Sequence, residues 1–205
     1  MLQAKISVRN LVEFILRRGS IDNRKKSNHT ALEGAKIHRK LQKEAGDTYE
    51  KEVYLKTTVQ LEEHQLIVEG RADGIFQKEG MYYIDEIKTS EPRFEDLEEE
   101  QVELFFHQAR TYAYIYCHEH NLKEINLQLT YFQTTEEIVT RKIQHQTIEQ
   151  LDKFFNKLTE DYQEWLIFQE NWRTVRNASL MALKFPYETY RKGQRELAVA
   201  AYKTI

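Results

Sequence analysis

The stretch GRADGIFQKEGMYYIDEIKTS, residues 70–90, has two strand-like halves around Gln77-Lys78-Glu79-Gly80. One acid, Asp73, stands in the first half. Glu86 and Lys88 stand two apart in the second, among Tyr82, Tyr83, Ile84 and Ile87. Pairing the halves through Phe76 and Met81 sets Asp73 opposite Ile84 and Arg71 opposite Glu86. Side chains alternate along a strand, so Asp73, Glu86 and Lys88 share a face, with Asp85 and Ile87 on the other. Asp73 and Glu86 are then diagonal neighbours, with Cα atoms roughly 7–8 Å apart.

Two carboxylates at that spacing repel, and a cation between them removes the cost. Hard oxygen ligands suit Mg²⁺ or Mn²⁺. A lysine on the same face can orient a water or stabilise charge developing on a phosphate. Acid, acid and lysine around a hard cation is a construction for phosphodiester hydrolysis. An isolated E-x-K on a strand ordinarily reads as an ion pair on a wet sheet face. The apolar residues around this one argue against free solvation.

The chain of 205 residues, 12% aromatic, is long enough for one domain with a substantial core. With two prolines and seven glycines it has no evident linker. No apolar run approaches the roughly 20 residues of a membrane span. The first 19 residues, MLQAKISVRNLVEFILRRG, read as an amphipathic helix rather than a signal peptide. The single cysteine, Cys117, excludes an internal disulfide and any cysteine-held zinc or iron–sulfur site. A cytoplasmic location is the expectation. Net charge is -3 but uneven: residues 1–45 are rich in Lys and Arg, and Glu91 to Glu103 is acidic. Such a polarity could guide a polyanion toward a metal, although a solvated helix surface carries similar charge.

Apolar spacing predicts helices over Val8–Arg18, from the capping box Thr30–Glu33 to near Gly46, over Glu98–His120, and from Thr147 to about Trp172. Strands are expected at Glu52–Leu61, from His64 or Gln65 to Phe76, at Met81–Lys88, Leu127–Phe132 and Glu137–Ile143. Helix, helix, three strands, helix, two strands, helix is an α/β sandwich around a mixed sheet.

These residues resemble the PD-(D/E)XK nucleases, and within them the RecB-like exonuclease branch. D-G-I, a hairpin and I-D-E-I-K-T are similar to the superfamily core. Gly34-Ala-Lys-Ile-His38 is similar to the branch's G-x-x-x-H element, Gly70-Arg-Ala-Asp73 to its G-x-x-D, and Gln108-Ala-Arg-Thr-Tyr112 to its Q-x-x-x-Y. The likeness covers about residues 7 to 145. It implies a restriction-endonuclease-like three-layer sandwich, with a mixed central sheet flanked by helices. It implies His38, Asp73, Glu86 and the Ile87 carbonyl as ligands of one or two Mg²⁺ or Mn²⁺ ions, Lys88 as catalytic with Asp73 and Glu86, and Gln108 and Tyr112 along the substrate channel. Gly34 would let its helix approach the sheet closely. Read without the resemblance, His38 and Tyr112 are ordinary helix residues. Glu52 could add a carboxylate but reads as a solvated strand residue. His107, His118 and His120 make no metal set, and His29, His64 and His145 fall in loop-like or exposed contexts. Alanine, not proline, precedes Asp73. Some relatives hold an iron–sulfur cluster with four cysteines, which one cysteine forbids. Asp85 competes with Glu86 for the second acid, and strand parity with Lys88 favours Glu86.

The final stretch, FPYETYRKGQRELAVAAYKTI (185–205), resembles the opening of the XPD/DinG-like helicases, with Gln194 as the adenine-recognising glutamine. The alternative is a short terminal helix, Glu188 to Lys203. The resulting expectation is a nuclease domain at 1–180 and the start of a helicase domain at 181–205, with ATP used only in the full-length polypeptide. The function expected is a metal-dependent DNA nuclease, by preference an exonuclease. It would act on DNA with a free end or single-stranded, beside a helicase domain in the same polypeptide, in DNA repair or end processing, with no membrane partner. The competing reading is a catalytically silent DNA-binding module that positions the helicase.

Overall fold

The structure is a computed structural model describing residues 2–18, 31–62, 64–184 and 187–204. Thr30, His29, Phe185 and Pro186, all used in the sequence reading, lie outside the described residues. The chain divides into two compact units, Met1–Glu164 and Trp165–Ile205.

The first unit is built on a six-stranded mixed sheet. Its strands are β1 (Leu2–Ser7), β2 (Glu50–Gln60), β3 (His64–Lys78), β4 (Met81–Ser90), β5 (Glu124–Gln133) and β6 (Ile138–Thr147). Its helices are α1 (Val8–Leu16), α2 (Ala31–Glu44), α3 (Glu99–His120) and the first part of α4 (Ile148–Ala182). The N-terminus corrects the sequence reading: its first residues form β1, not helix. Leu2, Ala4 and Ile6 alternate, and Ser7 accepts a hydrogen bond from the Asn10 backbone N–H at 3.2 Å, starting α1 there.

The 15-residue β3 organises the sheet. β2 runs antiparallel along one side. The other side is shared: β1 pairs parallel with residues 64–69, and β4 antiparallel with residues 74–78. Residues 70–73 lie between these two neighbours. β4 then pairs parallel with β5, and β5 antiparallel with β6. β5 is buried from Leu127 to Gln133, as an inner strand covered on both faces must be.

The β3–β4 register also differs from the sequence reading. Lys78 pairs with Met81 and Gly74 with Asp85, so Asp73 does not face Ile84. The connection is the two-residue turn Glu79-Gly80, both at positive φ (53° and 81°), as tight hairpins of the primed type require.

Helices α1 and α3 cover one face of the sheet. Tyr114 of α3 stacks on Phe155 of α4, with ring centroids 3.9 Å apart, and Leu151, Phe155 and Leu158 are buried behind α3. On the opposite face Ile37 and Leu41 of α2 pack on Ile87, Phe132 and Val139. The close approaches are at Gly70 and Gly74. A Cβ at Gly34 would lie 3.5 Å from Thr89 Oγ1, an ordinary contact, so space does not dictate glycine there. A Cβ on Gly70 would meet Tyr112 Oη at 2.5 Å, and one on Gly74 would meet the Tyr49 ring at 1.8 Å. Gly74→Ala is therefore expected to cost about 3 kcal/mol, because Tyr49 must move and leave the buried Asp85 short of a donor. Denaturant titration measures this, and an unchanged midpoint would contradict the packing.

In the second unit α4 continues ten residues past the expected end at Trp172, and α5 spans Gln194–Thr204. Its described side chains are largely exposed. Among the described residues no helix is long and apolar enough to cross a membrane.

Candidate active site

The site forms where β3 changes neighbour. Beyond Gly74↔Asp85 the β3–β4 ladder stops, and Asp73 Oδ2 accepts the Ile87 backbone N–H at 2.7 Å in place of a ladder bond. The β2–β3 ladder skips the same level: Lys51 pairs with Gly74 and Val53 with Ala72, while Glu52, between them, takes φ 55°. Regular alternation would turn Gly70 and Gly74 to one face. Instead Gly70 meets Tyr112 of α3, and Gly74 meets Tyr49, on the Asp85 side. The alternation breaks between them, and Asp73 stands at the break.

Around Asp73 the expected residues converge. His38 Nδ1 of α2 lies 3.7 Å from Asp73 Oδ1. Glu86 is 4% exposed, and Lys88 Nζ donates to it at 2.5 Å. Lys88 Nζ also donates to Gln108 Oε1 of α3 at 3.0 Å and lies over the Phe105 ring. Ile87 contributes its N–H to Asp73 and its side chain to the core. Gln108 and Tyr112 are 5% and 6% exposed. Gln108 holds the ammonium of Lys88, and Tyr112 fills the space left by Gly70. Burial, with Glu86 and Asp73 nearby, pushes the Tyr112 hydroxyl above its ordinary pKa.

Asp85 is turned away, as strand parity required. It accepts from Tyr49 Oη at 2.8 Å and from Thr130 Oγ1 at 2.7 Å, and is 4% exposed. Burial raises its pKa, and these hydrogen bonds oppose the rise. Gln42 of α2 was missed by the sequence reading. It is 4% exposed and donates to the Asp73 carbonyl at 2.9 Å. Its signal was its position one turn beyond His38. The other histidines stand elsewhere. His107 stacks on Phe154 and is pushed down to about 4 by burial and Arg110. His118 pairs with Asp152, and His120 bonds to the Tyr116 carbonyl. His64, expected in an exposed setting, is 3% exposed. Burial pushes the Cys117 thiol up to about 12, so it is no nucleophile. Gln194 opens α5 in the second unit, where its side chain accepts the Arg191 backbone N–H at 2.8 Å.

Glu86 is held up at about 7 by burial first and by Asp73 and Asp85, with Lys88 pulling the other way. A buried acid beside another acid is the donor chemistry that a hard divalent ion compensates. Among the described residues no three His, Cys, Asp or Glu side chains enclose an ion unaided. Asp73 and Glu86, with His38 alongside, fit an ion that keeps several waters, as Mg²⁺ does. In the metal-free protein the raised pKa favours folding while Glu86 is protonated. That contribution is full below its ordinary 4.5 and is lost as pH rises through about 7. Its size is about 3 kcal/mol. Melting with chelator at pH 5 and pH 8 should show this decline, and Glu86→Gln should remove it. An identical decline in Glu86→Gln would place its origin elsewhere.

Comparison with known proteins matches residues 6–182 to the PD-(D/E)XK nuclease superfamily. The chain belongs to that superfamily, and its mixed sheet flanked by helices is consistent with the restriction-endonuclease-like fold. The superfamily comprises nucleases, hydrolases that typically use divalent metal ions. No curated protein matches the chain. Among solved structures, the crystal structure of SSO0001 aligns at 18% identity and a TM-score of 0.49, covering 76% of this chain and 75% of its own. Rai1 of Scheffersomyces stipitis, in complex with (3'-NADP)+ and calcium ion, aligns at 12% identity and a TM-score of 0.26, covering 56% of this chain and 32% of its own.

Proposed function

We propose that this chain is a Mg²⁺- or Mn²⁺-dependent deoxyribonuclease of the RecB-like branch, an exonuclease acting on DNA with a free end or single-stranded. The observation that carries the reading is the Asp73–Glu86 pair, Glu86 buried and Asp73 partly so, with Lys88 held on Glu86, at the break between β3 and β4. Asp73, Glu86, His38 and the Ile87 carbonyl would hold the ion. The ion, when bound, supplies Lewis acidity to the phosphate and lowers the pKa of a water. Lys88 places positive charge where the phosphate gains negative charge. Gln108 fixes that ammonium, and Tyr112 supports Gly70 beneath Asp73.

The RecB-like assignment and the preference for an exonuclease rest on the elements Gly34–His38, Gly70–Asp73 and Gln108–Tyr112. The proposal extends to the ends of the chain: residues 1–180 are the nuclease domain, and 181–205 begin an XPD/DinG-like helicase in which Gln194 recognises adenine. Action in DNA repair or end processing, in the cytoplasm, follows from that context.

The test is degradation of end-labelled linear and circular single-stranded DNA with Mg²⁺, with Mn²⁺ and with chelator. Metal-dependent loss of linear DNA alone supports an exonuclease. Cutting of circles makes it an endonuclease. DNA bound but uncut under both metals leaves a silent binding module.

A further inference from the structure

We infer that Gln42 is a positioning residue that orients the Asp73 carboxylate from behind, through its main chain. The inference rests on the reading of Asp73 as a metal ligand given above. Helix α2 places His38 and Gln42 one turn apart, so both face the same stretch of β3. His38 addresses the Asp73 side chain. Gln42 addresses its backbone: Nε2 donates to the Asp73 carbonyl at 2.9 Å and to Glu52 Oε1 at 3.0 Å. A carboxamide nitrogen has two hydrogens, and both are used. Both partners are acceptors, so only the nitrogen can face them and the amide orientation is fixed.

The place of this clip matters. Glu52 and Asp73 are the one level the β2–β3 ladder skips between Glu50↔Ile75 and Gln60↔Gln65. The Gln42 amide supplies a donor at that level. Holding the Asp73 carbonyl fixes the peptide plane, and with it the direction in which Cβ leaves the strand. The carboxylate is thereby aimed between the Ile87 N–H and His38. Gln42 touches none of the groups assigned to the phosphate, so its effect must pass through Asp73.

The test uses the full chain as wild type, Gln42→Met, the double variant Gln42→Glu with Glu52→Gln, and Asp73→Asn. Two quantities are read: Mn²⁺ affinity by calorimetry without DNA, and kcat and KM on labelled single-stranded DNA. Gln42→Met is expected to weaken Mn²⁺ binding and lower kcat by roughly 10–100-fold each, as loss of a ligand's supporting partner does, with KM for DNA unchanged. The double variant re-forms the 42–52 contact with donor and acceptor exchanged, but gives the Asp73 carbonyl no donor. Its losses should match those of Gln42→Met, and it carries the test if Gln42→Met fails to fold. Wild-type affinity and kcat in a folded Gln42→Met would overturn the inference. So would full recovery in the double variant, which would make Gln42 only a clip between helix and strand. A folded wild type that neither binds Mn²⁺ nor cuts, like Asp73→Asn, would instead bring down the reading of Asp73 itself, and this inference with it.

Discussion

Replacing Lys88 with methionine is expected to lower DNA cleavage roughly 10³-fold. The lysine ammonium lies over the Phe105 ring and bridges Glu86 and Gln108; methionine keeps an unbranched apolar stem of similar length and removes the charge. Glu86 loses its cation and its pKa rises further, which by itself would protonate a metal ligand near neutral pH. Measuring cleavage at pH 9 as well as pH 7 separates the two effects. If Lys88 acts on the phosphate, the loss persists at pH 9, where a larger share of Glu86 is ionised. Recovery at pH 9 would mean that Lys88 serves only to keep Glu86 charged.

Asp73→Asn is expected to have the larger effect, on the order of 10³–10⁴-fold in cleavage, because an ion's charge stabilisation is worth several kcal/mol. Its effect on the fold should be small. Asparagine keeps an oxygen that can accept the Ile87 N–H, so the junction with β4 survives. It also removes a negative charge that raises the Glu86 pKa. The metal-free variant should therefore be at least as stable as wild type above pH 7, a gain in stability where function is lost. Melting curves with chelator and a cleavage assay with Mg²⁺ test both halves. A variant that unfolds would show Asp73 to be structural first.

The parts of this arrangement legible in the sequence were those carried by local pattern. The apolar setting of Glu86 and Lys88 marked a strand, and parity separated Asp85 from Glu86. Where pattern is not local, the reading failed. β1 abuts α1 with no glycine or proline between them, and its alternating Leu2, Ala4 and Ile6 run into the helical stripe at Val8. The hairpin register slipped by two residues because Glu79-Gly80 is not the Asn-Gly or Asp-Gly pair that announces a two-residue turn. Glu52 gave no sign of its positive φ, which coincides with the skipped rung opposite Asp73 and the bond from Gln42, both features of the tertiary structure. Apart from its place one turn beyond His38, Gln42 looked like any polar residue on a helix. Its role exists only once α2 has docked.

The skipped rung bears on any attempt to transplant this chemistry. Copied onto an ordinary antiparallel hairpin, an aspartate, a glutamate and a lysine at these spacings would lie flush on one surface, with every backbone amide already engaged. Nothing there would turn a carboxylate toward the amide of Ile87. A graft therefore has to carry the irregular backbone, with its change of partner and the helix that clips it, before the side chains are worth moving.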